Sequence, residues 1–287
     1  MTPPKVTFRP FTPADIPFAH ELKNIARWNQ TLTDWHGYLE FEPDGCFVAE
    51  VNGRAAGTAT TIRYASGVGW IGMVLVHPEL RRLGVGTQLL RHAIGYLQRR
   101  ETPCIKLDAT PMGKQVYVPL GFLDEYEVSR FDGVAPMTGT LPSEAVFPFT
   151  TDELANVADF DAPAFGADRT RVLASLMRRK PGLCLVARDH AGISGYLIAR
   201  EGHQAIQLGP WTARDPAVAE RLLLAFFSRA AGQRVLVDVP GPNRAGREQI
   251  EKYGFTVQRG FTRMFLGENL LPGNPGMVFG TGGAEKG

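Results

Sequence analysis

The chain has 287 residues, three cysteines and a formal net charge of +2. Its composition, 44% hydrophobic and 21% charged, is that of a globular protein long enough for two compact domains. So small a net charge provides no global basic field for nucleic acid, and no apolar run is long enough to span a bilayer. Residues 6–9 predict a short strand, and Thr12-Pro13-Ala14-Asp15 a helix start. Apolar residues at helical spacing (Phe18, Leu22, Ile25, Ala26) carry that helix to residue 29. Residues 47–51, the Asn52-Gly53 turn and residues 55–64 predict a β-hairpin. A strand over 69–76 follows, then an amphipathic helix over 87–99 with Leu89, Leu90, Ala93, Ile94 and Leu97 on one face. Residues 104–108 predict a strand, 114–120 a short helix and 124–131 a further strand.

Between the strand at 69–76 and the helix at 87–99 lies His77-Pro78-Glu79-Leu80-Arg81-Arg82-Leu83-Gly84-Val85-Gly86-Thr87. Glycines there let backbone N–H groups approach a ligand, and a helix N-terminus favours negative charge. Arg81 and Arg82 place positive side chains beside the same cradle. A bound phosphate or pyrophosphate is therefore expected. A Walker A loop would need Lys-Ser/Thr after its last glycine, where this chain has Thr87-Gln88. A dinucleotide fingerprint would need a third glycine, where Leu89 stands.

The Arg81-x-x-Gly84-x-Gly86 segment after a strand ending Val-His-Pro resembles the acetyl-CoA loop of the GNAT N-acetyltransferases. The run Tyr117-Val118-Pro119-Leu120-Gly121-Phe122 resembles that family's late Tyr-x-x-x-Gly-Phe element. The resemblance implies an α/β fold with a mixed sheet. It departs at Pro111-Met112-Gly113, where many members carry Asn at the start of the late helix.

Residues 138–148, rich in Pro, Ser, Thr and Gly, predict a linker. The second half repeats the order of the first: helices over 151–160 and 168–179, strands over 183–188, 193–200 and 205–211, a helix over 216–229, a strand over 234–239 and a helix through Glu248 and Tyr253. Tyr253-Gly254-Phe255 and Asn243 echo the late element. The counterpart of the phosphate loop, Pro210-Trp211-Thr212-Ala213-Arg214-Asp215, lacks Gly-x-Gly, and Asp215 would repel a pyrophosphate. Phe165-Gly166-Ala167-Asp168-Arg169 resembles the C-terminal domain of bacterial tandem GNAT proteins. The expected organisation is two tandem GNAT-like domains: 1–137 catalytic, 149–266 with a degenerate cofactor loop. A Gly/Pro/Asn-rich tail over 267–287 is expected to be irregular, with parts packing as an arm.

The resemblance places acetyl-CoA with its pantetheine along Val74, Leu75 and Val76 and its pyrophosphate on the loop Arg81, Arg82, Leu83, Gly84, Val85, Gly86 and Thr87. Tyr117 is the expected general acid for the departing thiolate. No carboxylate lies in the strand over 69–76, so Asp108, His77, Glu50 and a water chain stand as alternatives for the base. Trp28, Trp35, His36 and Tyr38 give the loop after the first helix an aromatic character, suiting either an acceptor pocket or a lid packed on the core. Cys46, Cys104 and Cys184 have no metal-ligand spacing and predict buried thiols in a reducing compartment. Residues 1–5 lack the apolar core of a signal peptide. The expectation is a cytoplasmic N-acetyltransferase, monomer or homodimer, acting on a primary amine of a small molecule or peptide, without nucleic-acid or membrane partners. A non-catalytic acyl-CoA-binding regulatory module is the alternative, and a third reading gives the second half a partner or ligand of its own.

Overall fold

A computed structural model describes residues 5–137 and 145–287. The first half runs β1 (Val6–Pro10), α1 (Ile16–Ile25), α2 (Leu32–Phe41), β2 (Cys46–Val51), β3 (Arg54–Arg63), β4 (Val68–Val76), α3 (Val85–Arg99), β5 (Cys104–Ala109), α4 (Pro111–Tyr117) and β6 (Leu123–Val134). The second runs β7 (Val146–Pro148), α5 (Leu154–Phe165), α6 (Thr170–Arg179), β8 (Leu185–Asp189), β9 (Gly192–Arg200), β10 (Ile206–Ala213), α7 (Pro216–Ala230), β11 (Arg234–Pro240), α8 (Arg244–Lys252), β12 (Thr256–Gly267) and β13 (Val278–Gly280). The mixed α/β class expected from the sequence is found. Among the described residues no helix is long and apolar enough to cross a membrane.

Several local expectations need correction. The first helix stops at Ile25, because Arg27 turns into the left-handed region at φ 56°. The aromatic segment after it is no loop. It forms α2, whose Thr31 N–H donates to the Asp34 carboxylate (2.8 Å), and which buries Trp35, Tyr38 and Phe41 on one face. Most of the expected linker lies outside the described residues, and its end forms β7 against β8. The cysteines are free and buried, as expected.

Among the described residues twelve strands form one sheet in the order β1-β2-β3-β4-β5-β12-β6-β11-β10-β9-β8-β7, and β13 joins it off this path, against β10. The last long strand of each half lies in the other half's territory. β12 pairs with β5 through Thr262↔Ala109 to Gly267↔Cys104, and β6 pairs with β11 through Arg234↔Val134 to Pro240↔Val128. Each exchange satisfies a row of backbone groups that would otherwise form an open edge. A buried ion pair, Arg130 to Asp238 (2.6 and 2.7 Å), crosses the β6–β11 seam.

The segment after β12 is an arm. β13 pairs antiparallel with β10, and residues 281–287 enter the interior, where Glu285 and Lys286 are 3% and 0% exposed. Tyr64 Oη donates to the Lys286 carbonyl (2.7 Å), Trp70 Nε1 to Ala284 (3.0 Å) and Arg169 to Gly287 (2.9 Å).

Candidate active site

β4 and β5 run parallel but pair only over Val68–Trp70 and Cys104–Lys106. Beyond Trp70 they diverge, so one edge of residues 71–76 faces a gap. Two features shape that edge. The β3 register shifts between Thr58 and Thr60, which insert an extra residue in β4, and Met73 sits at φ 50°. The resulting bulge re-aims the backbone at Met73–Val74. The Thr58 hydroxyl holds the Met73 carbonyl (2.9 Å) and so fixes the bulge.

The gap widens into a cleft of about 1000 Å³. One end is the loop before α3. Gly84 caps that helix at φ 77°, a conformation glycine adopts without the strain a Cβ would bring. Among the described residues, no backbone carbonyl or side chain accepts the N–H groups of residues 82–87. Such a row at a helix N-terminus is an anion cradle. Arg81 donates from Nε to the Val76 carbonyl (3.0 Å), fastening the loop to the strand end, and Arg82 is exposed beside the cradle. Val85 is buried under the loop and anchors it; Leu83 is 41% exposed. Val74, Leu75, Val76, Arg81, Arg82, Gly84, Val85, Gly86 and Thr87 all line the cleft, and Leu83 alone of the expected binding set does not.

Tyr117, at the end of α4, lines the same cleft. Its ring packs on Phe122 (centroids 6.0 Å apart). Its hydroxyl has no hydrogen-bond partner among the described residues. Burial pushes the phenol up to about 12, so it carries its proton throughout the physiological range. Asp108 also reaches the cleft wall, but Arg263 of β12 holds both its oxygens (2.8 and 3.0 Å), and the carboxylate is 0% exposed. Burial raises its pKa more than Arg263 lowers it. The other candidates for the base lie elsewhere. Glu50 pairs with Arg9 (2.6 Å), and His77 is absent from the lining with Nδ1 4.0 Å from Glu79. Burial raises the Cys104 thiol, which makes it a poor nucleophile.

The far arm of the cleft is built from parts distant in sequence. Trp28 and Gln30 come from the segment after α1, Arg259, Gly260 and Phe261 from the exchanged β12, and Ala284 and Glu285 from the arm. Gly72 of β4 admits the arm: a Cβ there would stand 2.8 Å from the Glu285 carbonyl oxygen. The Glu285 carboxylate accepts from Lys286 (2.5 Å), Arg200 (3.0 Å) and Gln30 (2.8 Å). Burial would raise its pKa, but Lys286 and Arg200 outweigh that and hold it below the usual range. Asp34, close by, faces Arg179 (2.5 Å), Lys286 (3.0 Å) and Arg200 (3.6 Å). Of the residues expected from the sequence, the glycine loop, Tyr117 and Trp28 line the cleft, while Trp35 and Tyr38 are buried in the core; the rest of this arm carried no local signal. The Arg259-x-Phe261-x-Arg263 alternation marks a strand, but nothing local says beside which half it lies.

Residues 14–122 match the GNAT acetyltransferase family and residues 157–280 a further GNAT acetyltransferase domain family. The chain is 24% identical over 263 residues to holothin acyltransferase of Pseudoalteromonas sp. (strain SANK 73390), covering 91% of this chain and 88% of that protein. It is 27% identical over 188 residues to the uncharacterized N-acetyltransferase YitH of Bacillus subtilis (strain 168), 64% of this chain and 65% of that one. A solved structure of a candidate acetyltransferase from Pyrococcus horikoshii superposes with a TM-score of 0.83 at 26% identity, covering 98% of this chain and 96% of that one. A tandem GNAT protein from the clavulanic acid biosynthesis pathway shares the fold with a TM-score of 0.65 at 14% identity, over 92% of this chain and 98% of that one. The chain belongs to the GNAT acyltransferase superfamily and carries two GNAT domains in tandem.

Proposed function

We propose that the protein is an acetyl-CoA-dependent N-acetyltransferase whose single working cleft lies between β4 and β5. The observation that carries this reading is continuity. One open strand edge leads from a row of helix N-terminal N–H groups to a phenol, and among the described residues neither the N–H groups nor the hydroxyl has a hydrogen-bond partner. The cradle fits the donor: N–H groups 82–87 and Arg82 suit a pyrophosphate, and the free edge of Val74–Val76 suits pantetheine amides. When bound, acetyl-CoA supplies an acetyl thioester whose C–S bond breaks as the acceptor nitrogen forms its bond to the acetyl carbon. The bulge at Met73–Val74 presents backbone to the reacting carbonyl. Tyr117 gives its proton to the leaving sulfur and regains one from solvent.

The acceptor's own proton goes to water. Asp108 is enclosed with Arg263 and acts in this reading as the anchor of that arginine. The charge behind the far arm instead lowers the amine's affinity for its proton, because among the described residues Arg179, Arg200 and Lys286 pair with just two carboxylates, Asp34 and Glu285. The name of one relative, an acyltransferase, supports acyl transfer, and that of the other, an N-acetyltransferase, supports nitrogen as the acceptor.

Tyr117→Phe tests the assignment, since it keeps the ring against Phe122 and deletes the hydroxyl. Steady-state kinetics should show kcat lower by about 10²-fold or more with KM nearly unchanged. The wild-type enzyme should show no alkaline loss of kcat from this group below about pH 10, because the phenol titrates near 12. A kcat within about twofold of wild type in the Phe variant would return Tyr117 to a packing role.

A further inference from the structure

Arg259 is an exception among the cations that line the cleft. Arg130 is held by Asp238, and Arg81 by the Val76 carbonyl. Arg82 stands in the phosphate loop. Arg259 has no hydrogen-bond or ion-pair partner among the described residues, and its Nε is buried without an acceptor. It rests over the Phe261 ring (4.9 Å), with Arg130 5.1 Å from the same ring. An unpaired guanidinium nitrogen out of water is costly, and the group with which such a fork best matches is a carboxylate. Burial, and then Arg130, lower its pKa to about 10, so it stays charged at neutral pH.

Arg259 does not stand alone in its sign. Behind Glu285, at the end of the far arm, the Arg179, Arg200 and Lys286 side chains pair with two carboxylates, Asp34 and Glu285, so that wall has a surplus of positive charge before Arg259 is added. Its walls at Ile25, Ala26, Trp28 and Phe261 are apolar. A simple alkylamine would leave Arg259 unsatisfied. A neutral amine attached to an anion would satisfy it and would offset the surplus.

We propose that the acceptor is an apolar amine that also bears a carboxylate, an amino acid or short peptide, and that Arg259 binds the carboxylate. The inference rests on the transferase reading above. It makes the specificity of the first half's cleft depend on a strand supplied by the second half.

The test uses the full chain with L-leucine, L-phenylalanine, L-methionine and their dipeptides, each against its amide. Thiol release from acetyl-CoA is followed, and the same compounds are titrated calorimetrically into the protein saturated with CoA. Acids should be preferred over amides by about tenfold or more. Arg259→Gln should raise KM for the acid far more than it lowers kcat and bring the acid-to-amide ratio towards one; Arg259→Lys should restore part of it. Preference for free amino acids or for dipeptides would identify the source of the carboxylate. Amides favoured equally or better, or an equal loss for acids and amides in the Gln variant, would overturn the proposal. If acetyl-CoA binds and no acid reacts or binds, the carboxylate assignment falls and the donor site stands. If acetyl-CoA does not bind, both fall.

Discussion

The two halves of this molecule contain the same opening in their sheets and fill it differently. β10 and β11 pair in parallel over Ile206–Leu208 and Val235–Val237 and then separate, as β4 and β5 do after Trp70. In the second half the gap holds the protein's own chain. β13 pairs with β10 at Trp211 and Thr212, Phe279 packs on Trp211 (5.2 Å), and Asn243 donates to the Val278 carbonyl (2.9 Å). The helix starts differ in the same sense. Gly84 leaves the N-terminus of α3 open, whereas Asp215 places a carboxylate on α7, accepting from the Val218 N–H (2.9 Å). A splayed strand pair has unpaired backbone, and a helix start has unpaired N–H groups. Either a ligand or the chain must satisfy them. The second half has done so internally, whereas among the described residues no group of the chain does so at the first half's helix start.

The largest effect should come from removing the plug. Phe279 is 1% exposed, so Phe279→Ala should destabilise the protein by about 3–5 kcal/mol, read from the midpoint of denaturant unfolding. It should create no second CoA site, because Asp215 still occupies the α7 N-terminus. A loss under about 1 kcal/mol would mean that the arm only decorates the second half. A smaller effect is expected from making the first half resemble the second. Gly84→Asp puts a side chain at φ 77° and a carboxylate at the anion cradle, and should weaken CoA binding by about 2–4 kcal/mol. Unchanged affinity in the folded variant would remove the cradle from the donor site.

What could be read in the sequence was local. The Asn52-Gly53 turn, the Leu89–Leu97 stripe, the Gly84 helix start and Tyr117 act within a few residues, and each lies where expected. The absence of a glycine loop after β10 was also legible, but not its partner, the arm that fills the gap. Strand exchange was hidden because β6 and β12 alternate in the same way whichever neighbour they choose. The rings of the aromatic segment suit a loop as well as a helix, and it is the Thr31–Asp34 capping pair that starts α2 and turns Trp35 and Tyr38 into the core. Arg259 and Glu285 are 187 and 213 positions from Gly72 in the chain, and only the β12 exchange and the buried arm bring them to one cleft.

The contrast between an open and a self-filled cleft is tested most directly by counting. Calorimetric titration of the full chain with acetyl-CoA should give one site per chain, and Gly84→Asp should weaken that site by about 30-fold or more. Two equivalent sites, or one that survives the substitution unchanged, would contradict the account.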